Sequence, residues 1–336
     1  MAVTRLTDVI VPEVFLPHMM NKTAEKSAIF QSGILRSDSN MAKFLAGGGR
    51  TENVPFWNDL SNAEPNISSD DPASEATPQK IGGARDVAVR HNRNQAWSDA
   101  YLVSELSGDD PMKRVLERVS DYWSRAYQRQ LVASLRGVFA DNAANDGGDM
   151  RHVVGTDAVG APAEAEIISA EALIDAKQTM GDAAEKLSVV IMHSVPYSRL
   201  QKQNLIDYIP DSEGKIELAT YLGYRLVVDD GCPAIQGANR ILYSTYLVSE
   251  GAIAWAEHPP KVAVEVERKP SQGDGGGVEE LWTRRQYVLH PYGIKWTDSS
   301  VAGQSPTNGE LEAAANWDRV YAERKQVGLV ELVTNG

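Results

Sequence analysis

Between positions 110 and 141 the apolar residues Met112, Val115, Leu116, Val119, Tyr122, Trp123, Ala126 and Tyr127 recur at steps of three and four. Neither Gly nor Pro interrupts them until Gly137. Such steps put side chains on one face of an α-helix. Asp110 suits an N-cap, and Pro111 falls in the first turn, where its missing N–H breaks no hydrogen bond. The pattern predicts one amphipathic helix over 110–141, roughly 45 Å long at 1.5 Å per residue, where an average helix has about a dozen residues. After Gln130 the apolar stripe swings through Leu131, Leu135, Val138 and Phe139, so the second half packs on a different surface from the first. Nearly opposite the first half, Arg114, Arg118, Arg125, Arg129 and Arg136 fall within an arc of roughly 60° at 100° per residue. Such a stripe is a solvated face, a face turned to a neighbour's carboxylates, or one turned to nucleic acid.

The other patterns are shorter. Over 1–50 apolar residues are too sparse for a core, Pro12 and Pro17 break the start, a helix is expected over 21–32, and Gly47 to Gly49 close the segment as an arm. Residues 51–83 read as a long hairpin. One strand is TENVPFWN, with Val54, Phe56 and Trp57 as its apolar content, and the return strand runs from about Lys80 into DVAVRH. The tip between them, rich in Ser, Asp, Asn and Pro, has almost nothing to bury, and a structureless stretch of this length signals a functional or partner-binding loop. Beyond the long helix, helices are expected over 164–187 and 197–209. Strands are expected over 187–194, 220–230, 239–247 and 251–258, giving a compact α/β unit over 164–256. Strands at 261–269 and 279–296, joined by PSQGDGGGV, form a ribbon beside the long helix. A short helix over 310–317 and a strand over 326–334 finish the chain.

Composition narrows the function. The 336 residues are 42% hydrophobic and 24% charged, as in ordinary globular protein, with material for two domains. A net charge of −13 argues against a protein that works by gripping phosphates. Acid is concentrated: residues 51–80 hold Glu52, Asp59, Glu64, Asp70, Asp71 and Glu75 against Lys80 alone. Cys232 is the single cysteine, so there is no internal disulfide and no multi-cysteine metal site. No apolar run approaches the ~20 residues of a membrane span, and residues 1–20 lack the apolar core of a secretory signal.

Candidate chemistry is thin. Gly47-Gly48-Gly49-Arg50-Thr51 lacks the lysine and spacing of a phosphate loop and reads as a hinge. Asp141, Asn145, Asp146 and Asp149 do not have the spacing of a calcium loop and read as a turn. The six histidines are scattered, and His193, ending an apolar strand, reads as structural. Cys232 lies beside Asp229 and Asp230, which raise a thiol's pKa rather than activate it. No nucleophile elbow occurs. Catalytic, cofactor-binding and metal-binding residues are therefore not assigned, and no enzyme activity is expected.

The order of elements (arm, acidic hairpin, very long helix, α/β unit, ribbon, short return) resembles that of the major capsid proteins of tailed double-stranded-DNA bacteriophages. The resemblance spans essentially the whole chain. It is strongest in VVIMHSVPYSRLQKQNL (189–205), YLGYRLVVDDGCP (221–233) and NWDRVYAERKQVGLVELVTN (316–335). It implies an α+β fold of the phage-capsid type, with an N-terminal arm (1–50) and an extended β-hairpin loop (51–83). A peripheral domain (84–163 and 257–306) would carry the spine helix and β ribbon, and an axial domain (164–256 and 307–336) would complete the subunit. It also implies a structural protein that self-assembles into pentamers and hexamers of an icosahedral head around double-stranded DNA. The protein would be made and assembled in the bacterial host cytoplasm, with portal, scaffolding and decoration proteins as further partners and no membrane. A cargo shell of the encapsulin type and a soluble α/β enzyme are the alternatives. The expected assembly interface sets Trp57, Asp59, Glu64, Asp70, Asp71 and Glu75 of one subunit's hairpin against a neighbour's spine helix or adjoining ribbon, with the carboxylates facing Arg114, Arg118, Arg125, Arg129 and Arg136.

Overall fold

The computed structural model describes residues 32–60, 63–103, 111–203, 206–210 and 216–336, with the backbone alone over 207–210 and 216–219. The helix expected over 21–32 falls outside the described residues, save Ser32.

The chain builds two sheets around one long helix. The first sheet has the order β1 (Leu35–Ser37), β11 (Ile253–His258), β13 (Val278–Pro291), β3 (Gly83–Ala100), β2 (Thr51–Trp57), with β12 (Val264–Lys269) also pairing with β13. Its spine is the antiparallel pair β13–β3, in register from Val278 opposite Ala100 to Val288 opposite Arg90. The second sheet runs β4 (Arg151–Val153), β16 (Leu329–Thr334), β10 (Ile241–Ser249), β5 (Leu187–Met192), β8 (Tyr224–Val228), β7 (Ile216–Tyr221), β6 (Asp207–Pro210), with β9 (Ala234–Gln236) on β10. A two-stranded piece, β14 (Ile294–Trp296) with β15 (Trp317–Arg319), lies apart from both. Two assignments differ from the sequence division. Residues 253–256, expected in the α/β unit, pair with β13 in the first sheet, and 151–153, expected with the ribbon, pair with β16 in the second.

The long helix α2 spans Pro111–Asn145, four residues beyond its expected end. Asn142 fixes that end by donating to Asp149 at 2.8 Å and accepting the Met150 N–H at 3.1 Å. The swing of the apolar stripe is realised. Trp123 and Tyr127 pack on the first sheet, with Tyr127 4.7 Å from the Tyr287 ring. Phe139 stacks on Tyr246 of the second at 5.5 Å. Gly137 lets the C-terminal segment close on the helix, since a Cβ there would lie 1.9 Å from the Leu311 carbonyl oxygen and 2.5 Å from Trp317 Nε1.

The helix expected over 164–187 is broken instead into a 3-10 turn at Glu164–Glu166, α3 (Ala170–Gln178) and a 3-10 turn at Gly181–Lys186. Ser169 caps α3 by accepting the Ala172 N–H, and the buried Ile167 and Ile168 precede that cap. Gly181 adopts φ 54°, a conformation open to glycine, and ends the run. The helix expected over 197–209 is α4 (Ser194–Lys202), displaced towards the N-terminus because the His193 imidazole caps it through the Val195 N–H. The short C-terminal helix is α5 (Asn308–Leu311) followed by a 3-10 turn at Ala314–Asn316, and Trp317 already belongs to β15. In the arm, α1 (Ser39–Gly47) rests on β11 through Met41, Phe44 and Leu45, and Arg90 donates to the Phe44 and Leu45 carbonyls at its end.

Candidate assembly interface

β2 and β3 pair from Thr51 opposite Val89 to Trp57 opposite Gly83 and carry the loop 58–82 at their far end. Every described residue from Trp57 to Gly83 is exposed, Asp59, Glu64, Asp70, Asp71 and Glu75 included. Four large apolar side chains are exposed with them: Trp57 at 73%, Leu60, Ile67 and Ile81. Internal order is slight, as in the Asn66 amide to the Thr77 carbonyl at 3.2 Å. A free hairpin that presents Trp57 and isoleucines to water is understandable where another surface covers it.

The arginines of α2 are all exposed, as their spacing predicted. Two are engaged within the chain: Arg114 lies 3.4 Å from Glu117, and Arg136 lies 2.8 Å from Glu312. Arg118, Arg125 and Arg129 have no ion pair among the described residues.

Beneath α2 is a layer that sequence reasoning missed. With period two, His91, Arg93, Gln95 and Trp97 of β3 share one face with Tyr287, Arg285, Thr283 and Leu281 of β13, their cross-strand partners. That face meets α2, where Trp123 Nε1 donates to Thr283 Oγ1 at 3.1 Å and Tyr122 donates to Gln95 Oε1 at 3.3 Å. Arg93 and Arg285 therefore stand directly opposite each other, a pairing that repels unless neutralised. Arg285, 1% exposed, has its match: it donates to Glu257 Oε1 at 3.1 Å, which also accepts the Tyr127 hydroxyl at 3.0 Å. Burial raises the Glu257 carboxyl above its ordinary value, against the pull of Arg285. Among the described residues Arg93 donates to neutral acceptors, the Pro306 carbonyl and Asn308 Oδ1 at 3.2 Å. His91 adds no charge, because burial, then Arg93, pushes its pKa down to about 3.

Between this face and α2 opens a cleft of about 270 Å³, lined by Arg93, Gln95, Arg129, Gln130, Tyr287 and Asn308 among others, with no carboxylate. Gln130 is 2% exposed; its carbonyl oxygen accepts the Tyr287 hydroxyl, and its amide nitrogen has no partner. Arg93 Nε is likewise buried and unpartnered. The structure thus brings one of the five stripe arginines, Arg129, together with donors from a strand and from the helix's inner face. Such a set presents hydrogen-bond donors and positive charge to the cleft and offers no nucleophile or base.

Other sequence candidates have structural roles. Asp149 binds Arg319 at 2.8 Å, and Asn145 donates to Asp141 at 2.6 Å. Among the described residues no cluster is arranged for a metal ion. Cys232 is buried, and burial followed by the charges of Asp229 and Asp230 pushes its thiol well up.

Comparison with known proteins meets this geometry from outside. Residues 47–330 match the family model described as Major capsid protein 13-like. The chain is 38% identical over 329 residues to the major capsid protein of Bacillus phage SPP1, covering 97% of this chain and 96% of that one. Among solved structures, the capsid of Ralstonia phage GP4 superposes with a TM-score of 0.58 at 10% identity, covering 93% of this chain and 92% of that one. The cyanophage Pam1 capsid asymmetric unit superposes at 0.55 and 11% identity, covering 90% and 88%. At such identities the superpositions speak for the α+β capsid fold.

Proposed function

The chain belongs to the Major capsid protein 13-like family and is a structural subunit of a phage head, not an enzyme; from that premise we propose that its copies join as pentamers and hexamers into an icosahedral shell around double-stranded DNA. The first sheet with α2 acts as the peripheral domain, the second sheet as the axial domain, and the hairpin 51–83 as the loop that reaches a neighbour. The observation that carries this reading is the hairpin itself. It exposes Trp57 and five carboxylates, while Arg118, Arg125 and Arg129 on α2 have no ion pair among the described residues. The tip of one subunit lies against the next subunit's α2. Each exposed pair is worth only about 0.2–1 kcal/mol, but several per contact, repeated over a shell, set register and salt sensitivity. Assembly takes place in the cytoplasm of the bacterial host, with portal, scaffolding and decoration proteins as the remaining partners.

Sedimentation and electron microscopy of the chain co-expressed with its phage partners test the shell, which is expected as closed particles or capsomers. A folded monomer or dimer as the only species contradicts it. For the pairing, Arg118→Glu with Arg125→Glu weakens assembly, and adding Asp70→Lys with Asp71→Lys partly restores it. Shells that assemble normally but stay unfilled would place the stripe towards packaged DNA instead.

A further inference from the structure

We propose that the cleft between α2 and the β3–β13 pair is a carboxylate socket, filled in the assembled shell by one acidic side chain from the hairpin tip of a neighbouring copy. This rests on the tip-to-α2 reading above and narrows it to one arginine of the stripe and to two residues outside it. The charge balance of the layer argues for an anion. Arg285 is matched by Glu257, His91 is neutral, and Arg93 and Arg129 make no ion pair among the described residues. Glu310, the carboxylate that feels Arg93, is held by the Ala302 and Thr307 backbone N–H groups at 2.8 and 2.7 Å.

Hydrogen bonding points the same way. Buried donors are almost always paired, yet Gln130 Nε2 and Arg93 Nε are buried without a partner on the wall of a cleft that is open to solvent. Two guanidinium groups and an amide N–H around such a space match the acceptor-only chemistry of a carboxylate. Tyr122, Trp123 and Ala126 on the same wall suit the apolar stem of Asp or Glu. The chain's own tip is poorly placed. The base of the hairpin at Gly83 is ten residues before Arg93, about 33 Å along an extended strand, and the hairpin leads away from the cleft. A second copy supplies the carboxylate, and the excess acid of Asp59, Glu64, Asp70, Asp71 and Glu75 on an exposed loop is the complementary charge.

The test uses the full chain with its phage partners. Arg129 is exposed, so Arg129→Glu leaves the unassembled subunit folded, as circular dichroism checks. It is expected to lower the yield of shells roughly tenfold or more, and a lysine at one of the acidic tip positions restores it. Arg136→Glu, outside the cleft, is expected to have a smaller effect. Independently, Arg129→Cys combined in turn with Asp59→Cys, Glu64→Cys, Asp70→Cys, Asp71→Cys and Glu75→Cys is treated in assembled shells with a short bifunctional thiol crosslinker that spans the length of the lost side chains, the native Cys232 being buried. One combination is expected to give a crosslink between subunits. Normal assembly of Arg129→Glu alongside failure of the Arg118 and Arg125 reversals overturns the socket and leaves the broader pairing standing. Indifference to all three reversals overturns both. Complete shells of Arg129→Glu that do not fill identify the anion as a nucleic-acid phosphate and overturn the socket, as does the absence of crosslinks in all five combinations.

Discussion

Two buried regions of this molecule differ in how their polar groups are satisfied. In the second sheet the strand interiors Val190, Ile191, Leu247, Val248, Val330 and Leu332 are apolar and fully buried. Charges there are matched within the chain. Arg151 pairs with the buried Glu331, Arg240 holds Glu166 at 2.6 Å, and the Asp157 carboxylate accepts the N–H groups of Ala238, Asn239 and Arg240 at 2.8 Å each. Under α2 the facing side chains mix the apolar Trp97, Leu281 and Tyr287 with His91, Arg93, Gln95, Gln130, Thr283 and Arg285, and buried nitrogens of His91, Arg93, Gln130 and Arg285 have no partner among the described residues. Beside that layer a hairpin projects that no described residue of the chain covers. The first region completes itself by hydrophobic burial. Under the proposed function, a neighbouring copy completes the second.

The sharpest break of this comparison is a cavity in the self-sufficient half. Leu247→Ala should cost the unassembled subunit about 2–5 kcal/mol in denaturant unfolding, because Leu247 is fully buried in the centre of β10. At the junction of the two regions, Gly137→Ala should cost about 1–3 kcal/mol. Ordinarily this exchange stabilises a helix, but here the new methyl meets the Leu311 carbonyl and the Trp317 indole. A stabilised Gly137→Ala subunit in the same measurement would mean that the C-terminal segment moves aside freely.

A smaller effect is one of pH. The Thr156 hydroxyl, the Ala163 N–H and Arg240 hold the Glu166 carboxyl at about 2, below its unfolded value. A depressed carboxyl contributes stability that is complete above an unfolded pKa of about 4.3 and is lost as pH falls through the folded value of about 2. Glu166→Gln should flatten the acid limb of stability between those two pH values and leave the neutral region's slope unchanged. An unaltered limb would show that this clasp is already open in the folded subunit. Smallest of all for the isolated chain is Trp57→Ala, expected to change subunit stability by less than about 0.5 kcal/mol while reducing shell yield. A large loss of subunit stability would mean that Trp57 packs within its own chain.

The same contrast explains which parts were legible in the sequence. α2 was readable because its inner face is apolar at helical spacing, and the turn of its stripe after Gln130 foretold a second packing surface. The strand interiors of the second sheet were readable for the same reason. β3 was read only as far as DVAVRH, because from His91 onward its inward positions are His, Arg and Gln, and alternation of apolar with polar vanishes. Burial of polar residues against a helix leaves no period to detect. The arginine stripe was visible because one helix carries it, whereas the cleft was not, since it joins Arg93 of β3 to Arg129 and Gln130 of α2 through tertiary packing. The break of 164–187 into shorter pieces had a signal that was passed over, Ser169 as a cap and Gly181 as a stop.

Hydrogen exchange, compared between unassembled subunits and closed shells, tests the central claim most directly. The account predicts fast exchange over 58–60 and 63–82 before assembly and pronounced slowing afterwards, with the interiors of β5, β10 and β16 protected equally in both states. Equal protection of the hairpin in both states, or slowing confined to the second sheet, would contradict the account that a neighbour completes the hairpin and the layer beneath α2.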